Sequence, residues 1–314
     1  MTQCEIYDEV AYCYDGSFNG LLCTVFASYQ RNEIPTNVAS REFLQPRLMQ
    51  RVSYIETSED LANRVERGIE NACGKRMLNA ICRAYLSTDS SSPFAIYRFI
   101  RHAMDEHRLR SCVHCNASSK CDGATNKGLY CPSLKEHALN DIAHPEVMPF
   151  FKVLRGVDNE CEHIRQFARF EHIESERGAL WLAQCEPRDK VVPLVMGHFA
   201  RRFGSEKFAL VDKANHIAGL YDGSHWRLVD TGRAELIEPS LLQTTQEEAT
   251  MQQAWRAFYQ AVSVESRYNP ELRVKLMPKR FWGNLTELKQ ETDSPRCQKA
   301  LNAHGPKTVR SAGT

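Results

Sequence analysis

Four of the chain's twelve cysteines, Cys112, Cys115, Cys121 and Cys131, fall within one twenty-residue stretch. C-x2-C presents two thiolates to one ion across a tight turn, and two more thiolates nearby complete a tetrahedral sulfur site. Asn116, Ser118, Ser119, Asp122, Gly123, Asn126 and Gly128 between them are loop formers with almost no apolar core. Such a segment gains order from being tied down. Three chemistries fit the pattern: free thiols or disulfides, a structural zinc ion, and an iron–sulfur cluster of the 4Fe-4S kind. His114 or His137 can stand in for one thiolate. The cluster loop of helix-hairpin-helix glycosylases has C-x6-C-x2-C-x5-C spacing. Cys112, Cys115 and Cys121 fit its last three positions, but the first falls on Asp105. That leaves zinc ahead of iron–sulfur.

A second constellation is cationic. His198, Arg201 and Arg202 stand at i, i+3 and i+4, so a helix would put all three on roughly one face. Arg165 and Arg169 precede them, Arg169 alternating with Phe167 on an expected strand. Guanidinium forks on such a face grip phosphate oxygens in pairs, whereas the bland alternative is a charged solvated helix. A third group is Lys279-Arg280-Phe281-Trp282. Cations beside flat rings suit a nucleic-acid strand, with Lys279 and Arg280 on phosphate and Trp282 on a base. The alternative is that Phe281 and Trp282 pack in the core. For acid–base chemistry the candidates are His198, His163, Asp15 and Asp212, with Glu186 and His216 in similar positions near expected turns or strand ends.

Local motifs exclude several classes. The chain has no G-x-x-x-x-G-K-[ST], no G-x-G-x-x-G after a strand, no G-x-S-x-G, no H-E-x-x-H and no zinc-deaminase signature. Net charge is +1, so bulk charge names no partner. From Trp255 onward, however, eleven Lys/Arg stand against five Asp/Glu. The start, Met-Thr-Gln-Cys-Glu-Ile, lacks the basic and apolar regions of a leader, and no apolar run is long enough to span a membrane. A cytoplasmic protein with reduced thiols is expected.

These groups need positioning elements. Val10–Tyr14 reads as a strand, and Ser17 caps a helix to about Arg31. Val52–Glu56 is a second strand, followed by helices capped at Thr57 or Ser58, over Lys75–Leu86 and over Phe94–His107. After the cysteines a helix resumes at Pro145. Strands are expected at Phe167–Ile173 and Ala179–Gln184, a helix at Pro193–Phe203 ended by Gly204, and strands at Phe208–Asp212, Ile217–Tyr221 and His225–Val229. Asp222-Gly223 is a hairpin signal, and Thr245 caps a helix to about Val262. The order argues for an α+β fold, an antiparallel sheet flanked by helices with an inserted Cys-rich loop. Its parts are a mostly helical N-terminal half (1–110), a metal-binding insertion (111–135), sheet and C-terminal helices (136–292) and a disordered tail (293–314).

Taken together, Tyr14-Asp-Gly-Ser-Phe-Asn-Gly-Leu-Leu22, Phe167-Ala-Arg-Phe170, Glu186-Pro187, Pro193-Leu-Val-Met-Gly-His-Phe-Ala-Arg-Arg-Phe203, Trp255…Tyr259, Tyr268-Asn-Pro270 and Met277-Pro-Lys-Arg-Phe-Trp282 resemble the motifs of a bacterial family of DNA metabolism or DNA repair proteins. It is a domain of unknown function, encoded beside a radical-SAM protein and found joined to uracil-DNA glycosylase-like domains. The resemblance spans roughly residues 8 to 290, apart from the cysteine loop. It implies a DNA-linked role and a radical-SAM or glycosylase-type partner, and supplies no reaction. Where that family has a His-Arg pair before the Arg169-Phe170 strand, this chain has Glu162-His163. The segment Ser111–Lys135 stands as an insertion. Two other readings are an enzyme acting on a nucleic acid or nucleotide with His198 or His163 as acid or base, and a metal-stabilised interaction module without a nucleic-acid role.

Overall fold

Strand β1 (Val10–Tyr14) is buried along its whole length, and this decides the first part of the fold. A strand covered on both faces must be central, and β1 lies between β2 (Asn37–Ser40) and β3 (Arg51–Tyr54) in the order β2-β1-β3. Both neighbours run parallel to it, with Tyr12 opposite Val38 on one side and Ser53 on the other. Parallel neighbours need crossover connections, and α1 (Phe18–Gln30) supplies the first. The structure is a computed structural model that describes residues 9–109, 137–175, 178–232, 243–267 and 269–288.

The chain divides into two units, Met1–Asp158 and Asn159–Thr314. In the first, Ser17 caps α1 by accepting from the Gly20 N–H at 2.9 Å, and Ser58 caps α2 (Glu59–Cys73), whose first turn carries Glu59 and Asp60. Ala62, Val65, Ile69 and Cys73 form its buried stripe at helical spacing. Helices α3 (Lys75–Tyr85) and α4 (Ser92–Leu109) complete the core with Met77, Ile81, Tyr97 and Phe99. The Phe99 ring stacks on Phe150 at 3.8 Å between centroids. A short α5 (His137–Asn140) precedes α6 (Met148–Phe167), whose residues from Asn159 belong to the second unit.

The second unit holds a mixed six-stranded sheet. Its strands are β4 (Phe170–Ser175), β5 (Gly178–Cys185), β6 (Phe208–Asp212), β7 (Ile217–Tyr221), β8 (Trp226–Asp230) and β9 (Gln243–Thr244), in the order β8-β7-β6-β5-β4-β9. Hairpin partners are antiparallel, but β5 and β6 run parallel, joined through α7 (Val192–Phe203). Phe170, Phe199, Phe203 and Phe208 pack between α7 and one face of the sheet, and Ile173, Leu182 and Ala209 gather on the other. Helices α8 (Gln246–Val262), capped by Thr245, and α9 (Pro270–Leu276) follow.

The fold is α+β, as the element order implies. The expectation of an antiparallel sheet is corrected: three of the strand pairings are parallel. The reason is topological, because a strand–helix–strand connection returns the chain to the same edge direction. The strand expected from Phe167 also starts later. Helix α6 continues through Phe167, so Arg169 sits in the connection before β4 and does not alternate with Phe167 on a strand. The cysteine segment 111–135 and the tail 293–314 lie outside the described residues. Among those described, no helix is long and apolar enough to cross a membrane.

Candidate functional site

Helix α7 lies on the sheet through Val192, Val195, Met196 and Phe199, which leaves the opposite stripe to its polar residues. Arg201 and Arg202 occupy the last turn and are exposed. Cations there also complement the negative helix end. The Arg201 guanidinium folds back along the helix, its Nη1 3.7 Å from where a side chain on Gly197 would begin. His198, half-buried one turn earlier, has its pKa lowered first by burial and then by the guanidiniums of Arg165, Arg201 and Arg202, against a weaker opposing pull from Glu162. Four of the sequence-derived residues, Arg165, His198, Arg201 and Arg202, therefore share one electrostatic neighbourhood. Arg165 also bonds Glu162 through Nη1, while its buried Nε has no hydrogen-bond partner.

Arg169 is committed elsewhere. Its guanidinium donates to the backbone carbonyls of Gln166 at 3.1 Å and Ala168 at 3.4 Å, and to Glu287 Oε1 at 3.4 Å. The other oxygen of Glu287 accepts from the Trp255 indole at 3.0 Å.

The closing motif turns inward. Phe281 and Trp282 are 2% and 5% exposed, and the Trp282 indole N–H donates to the Met277 carbonyl at 3.0 Å. So placed, the Trp282 ring packs against Leu285, Leu288 and Phe167 and offers no face to a base. Arg280 bonds Glu160, a residue the sequence reading missed. Glu160 is 1% exposed, and its second oxygen accepts from the Arg188 backbone N–H at 2.9 Å. The His163 Nδ1 stands 3.5 Å from Glu160 Oε1, buried and without the alignment of a hydrogen bond. One signal marked Glu160 in advance. It occupies the apolar stripe of α6 with Val157, Cys161 and Ile164, where a carboxylate must find a partner. Lys279 beside Arg280 remains partly exposed.

The remaining acid–base candidates are spread out. Asp212, fully buried at the end of β6, accepts from the Ala214 and Asn215 backbone N–H groups at 3.0 Å each and from the Asn215 amide at 2.8 Å. Burial raises its pKa, and these bonds only partly offset it. Register sets it opposite Cys185, whose thiol is pushed up by burial and then by Asp212 and Glu186. Glu186 itself is exposed, and His216 lies in the turn after Asp212 with φ 54°. Asp15 belongs to the first unit. Its Oδ1 accepts from the Ser17 N–H at 2.9 Å and the Ser17 hydroxyl at 2.7 Å. Burial pushes the Asp15 pKa up, but the bonds from Ser17 and Thr57 outweigh it and the net shift is down. Among the described residues no group of three or more His, Cys, Asp or Glu is arranged to hold a metal. Cys112, Cys115, Cys121 and Cys131 lie outside those residues.

A family model for a domain of unknown function, DUF4130, matches residues 129–287, half of the chain. The chain belongs to the DUF4130 family. The matched segment takes in the whole described sheet of the second unit, α7 with its cations, Glu160 and Arg280. Cys112, Cys115 and Cys121 precede it, as does the Tyr14–Leu22 motif, and Cys131 falls just inside. Comparisons with curated proteins and with solved structures gave no match.

Proposed function

We propose that this DUF4130 protein binds DNA through the face formed by Arg165, His198, Arg201 and Arg202, with Lys279 adding charge, and that it acts in DNA repair or metabolism beside a radical-SAM or glycosylase-type partner. The observation that supports binding is the cluster itself: Arg201 and Arg202 are exposed in the last turn of α7, and after burial it is they and Arg165 that lower the pKa of His198, with Glu162 opposing. Such a concentration of like charge is favourable when polyanion oxygens approach it. The DNA context and the partner rest on the family resemblance.

Fluorescence anisotropy with labelled DNA over a salt series tests the reading. Binding should weaken steeply with salt, and Arg201→Ala and Arg202→Ala should each reduce the log–log slope by about 1. Salt-insensitive binding, or no binding to duplex, single-stranded or damaged DNA, overturns it. The proposal also includes one ion or cluster, zinc ahead of 4Fe-4S, on Cys112, Cys115, Cys121 and Cys131. Metal analysis of anaerobically purified protein decides this, a colourless stoichiometric zinc protein and a brown iron protein being the two positive results.

A second reading is enzymatic, and one observation favours it. The His163 ring holds Nδ1 3.5 Å from buried Glu160 while its side chain stays 25% exposed. A carboxylate behind an imidazole suits a general acid or base. Turnover of a nucleic acid or nucleotide that disappears in His163→Gln, with DNA binding intact, would establish it. Loss of binding alone would count against it.

A further inference from the structure

Among the described residues strand β8 is an outermost strand of the second unit's sheet, and it exposes Trp226 at 42% and Leu228 at 39%. An exposed apolar pair on an edge strand is a liability for a protein with no use for it. We propose that this edge is a single-strand site, at which Trp226 stacks on an unpaired base. The proposal rests on the DNA-binding reading above and names the form of nucleic acid it favours.

The strand register places the ring. Trp226 stands opposite Tyr221, and Tyr221 opposite Phe208, so all three share a face. That face is the one α7 covers, because Phe199 and Phe203 pack on Phe208. The Tyr221 hydroxyl donates at 2.7 Å to the carbonyl of Gly204, the residue that ends α7. Trp226 thus lies one strand beyond the end of the helix that carries Arg201 and Arg202.

The next residue turns the other way. Arg227 stands opposite Leu220, which stands opposite Ala209. With Lys207 and Leu180 these residues line a concavity of about 450 Å³, to which His225 and Trp226 also contribute. Its carboxylate, Asp222, is already engaged, accepting from the Ser224 N–H, the Ser224 hydroxyl and the His225 N–H at 2.8 Å each. A strand crossing this edge therefore meets the Trp226 ring on one face of the sheet and the exposed Lys207 and Arg227 on the other.

Charge alone would serve a duplex equally well. The ring does not, because paired bases are stacked on both sides and have no face to give it, whereas an unpaired base does. A flat ring next to a cation occurs in Trp226-Arg227 as in the closing motif, but here the ring is exposed.

Anisotropy on the full chain compares a thymidine oligomer of about 12 nucleotides, within the range of single-strand sites, with a duplex hairpin of similar length. Trp226→Leu keeps apolar cover on Tyr221 and should weaken single-strand binding about tenfold while leaving duplex binding unchanged. Trp226→Phe should recover most of the loss, and thermal unfolding of both variants verifies that they fold. Equal loss on both probes, or no loss on the single strand, overturns the stacking role while the DNA-binding reading survives. Failure of the unaltered protein to bind either probe removes both.

Discussion

Arg280 and Glu160 stand 120 residues apart in sequence and close one ion pair around a carboxylate that is 1% exposed. A buried pair of this kind is costly to break from one side, since the survivor is left charged without water or partner. Arg280→Met should cost about 3 kcal/mol, the low end of the usual range, because Arg188 still offers its backbone N–H and a guanidinium 4.0 Å away. Adding Glu160→Gln to Arg280→Met should restore part of that, because it removes the stranded charge. Urea unfolding of the singles and the double tests this. A double variant no more stable than Arg280→Met would mean that the pair is not what the carboxylate depends on.

Trp282 is predicted to report on stability alone. Trp282→Phe leaves the Met277 carbonyl without its indole donor and should cost about 1–3 kcal/mol. Trp282→Ala also opens a cavity beside Leu285 and Leu288 and should cost about 3–5 kcal/mol. At a temperature where Trp282→Phe remains folded, its DNA affinity should equal that of the unaltered protein. A selective loss of single-strand affinity would return the stacking role to this residue.

His198 carries the pH dependence. Burial and three guanidiniums hold its folded pKa below the unfolded value of about 6.5. The unfolded chain therefore binds the proton more readily, and this residue's contribution is present above about pH 6.5 and lost as pH falls through the folded pKa. His198→Gln should flatten that part of the stability–pH curve. Phosphate oxygens beside the ring act in the opposite sense, raising its pKa on binding. DNA affinity should then increase on acidification through the histidine range, and this increase should vanish in His198→Gln. A pH-independent affinity in the unaltered protein would argue that DNA does not reach this face.

Much of this arrangement is local and could be read from the chain. Ser17, Ser58 and Thr245 cap the helices they precede, Gly204 ends α7, and Asp222-Gly223 turns one strand into the next. The cations of α7 were legible for the same reason, since i, i+3 and i+4 spacing needs only the helix. The parallel pairing of β5 with β6 was present in the strand–helix–strand order, but a meander of short strands read as antiparallel throughout. Strand β2 was missed because Asn37-Val-Ala-Ser40 is short and shows no alternation. What could not be read was long-range. Arg169 is drawn away by Glu287, Arg280 by Glu160, and Trp282 into the core by packing that no local spacing encodes. The exposure of Trp226 follows from β8 being an edge, which is a property of the sheet and not of the strand.

Two glycines in the first unit should respond to alanine with opposite signs. Gly68 lies inside α2, where a Cβ would meet the Met104 methyl at 3.8 Å, an ordinary contact. Gly68→Ala should stabilise by about 0.5–1 kcal/mol through backbone entropy. Gly20 lies in the first turn of α1, where a Cβ would fall 2.2 Å from Asp15 Oδ1 and 2.8 Å from Thr57 Oγ1. That oxygen of Asp15 also holds the Ser17 N–H and hydroxyl, so Gly20→Ala must either push the carboxylate off Ser17 or shift the helix start. Overpacking of this kind should exceed the entropic gain and leave a net loss of about 1–3 kcal/mol. Urea unfolding of the two variants side by side is the measurement. A Gly20→Ala variant as stable as the unaltered protein would show that Asp15 is free to leave the cap, and would make it a more accessible carboxylate than its hydrogen bonds imply.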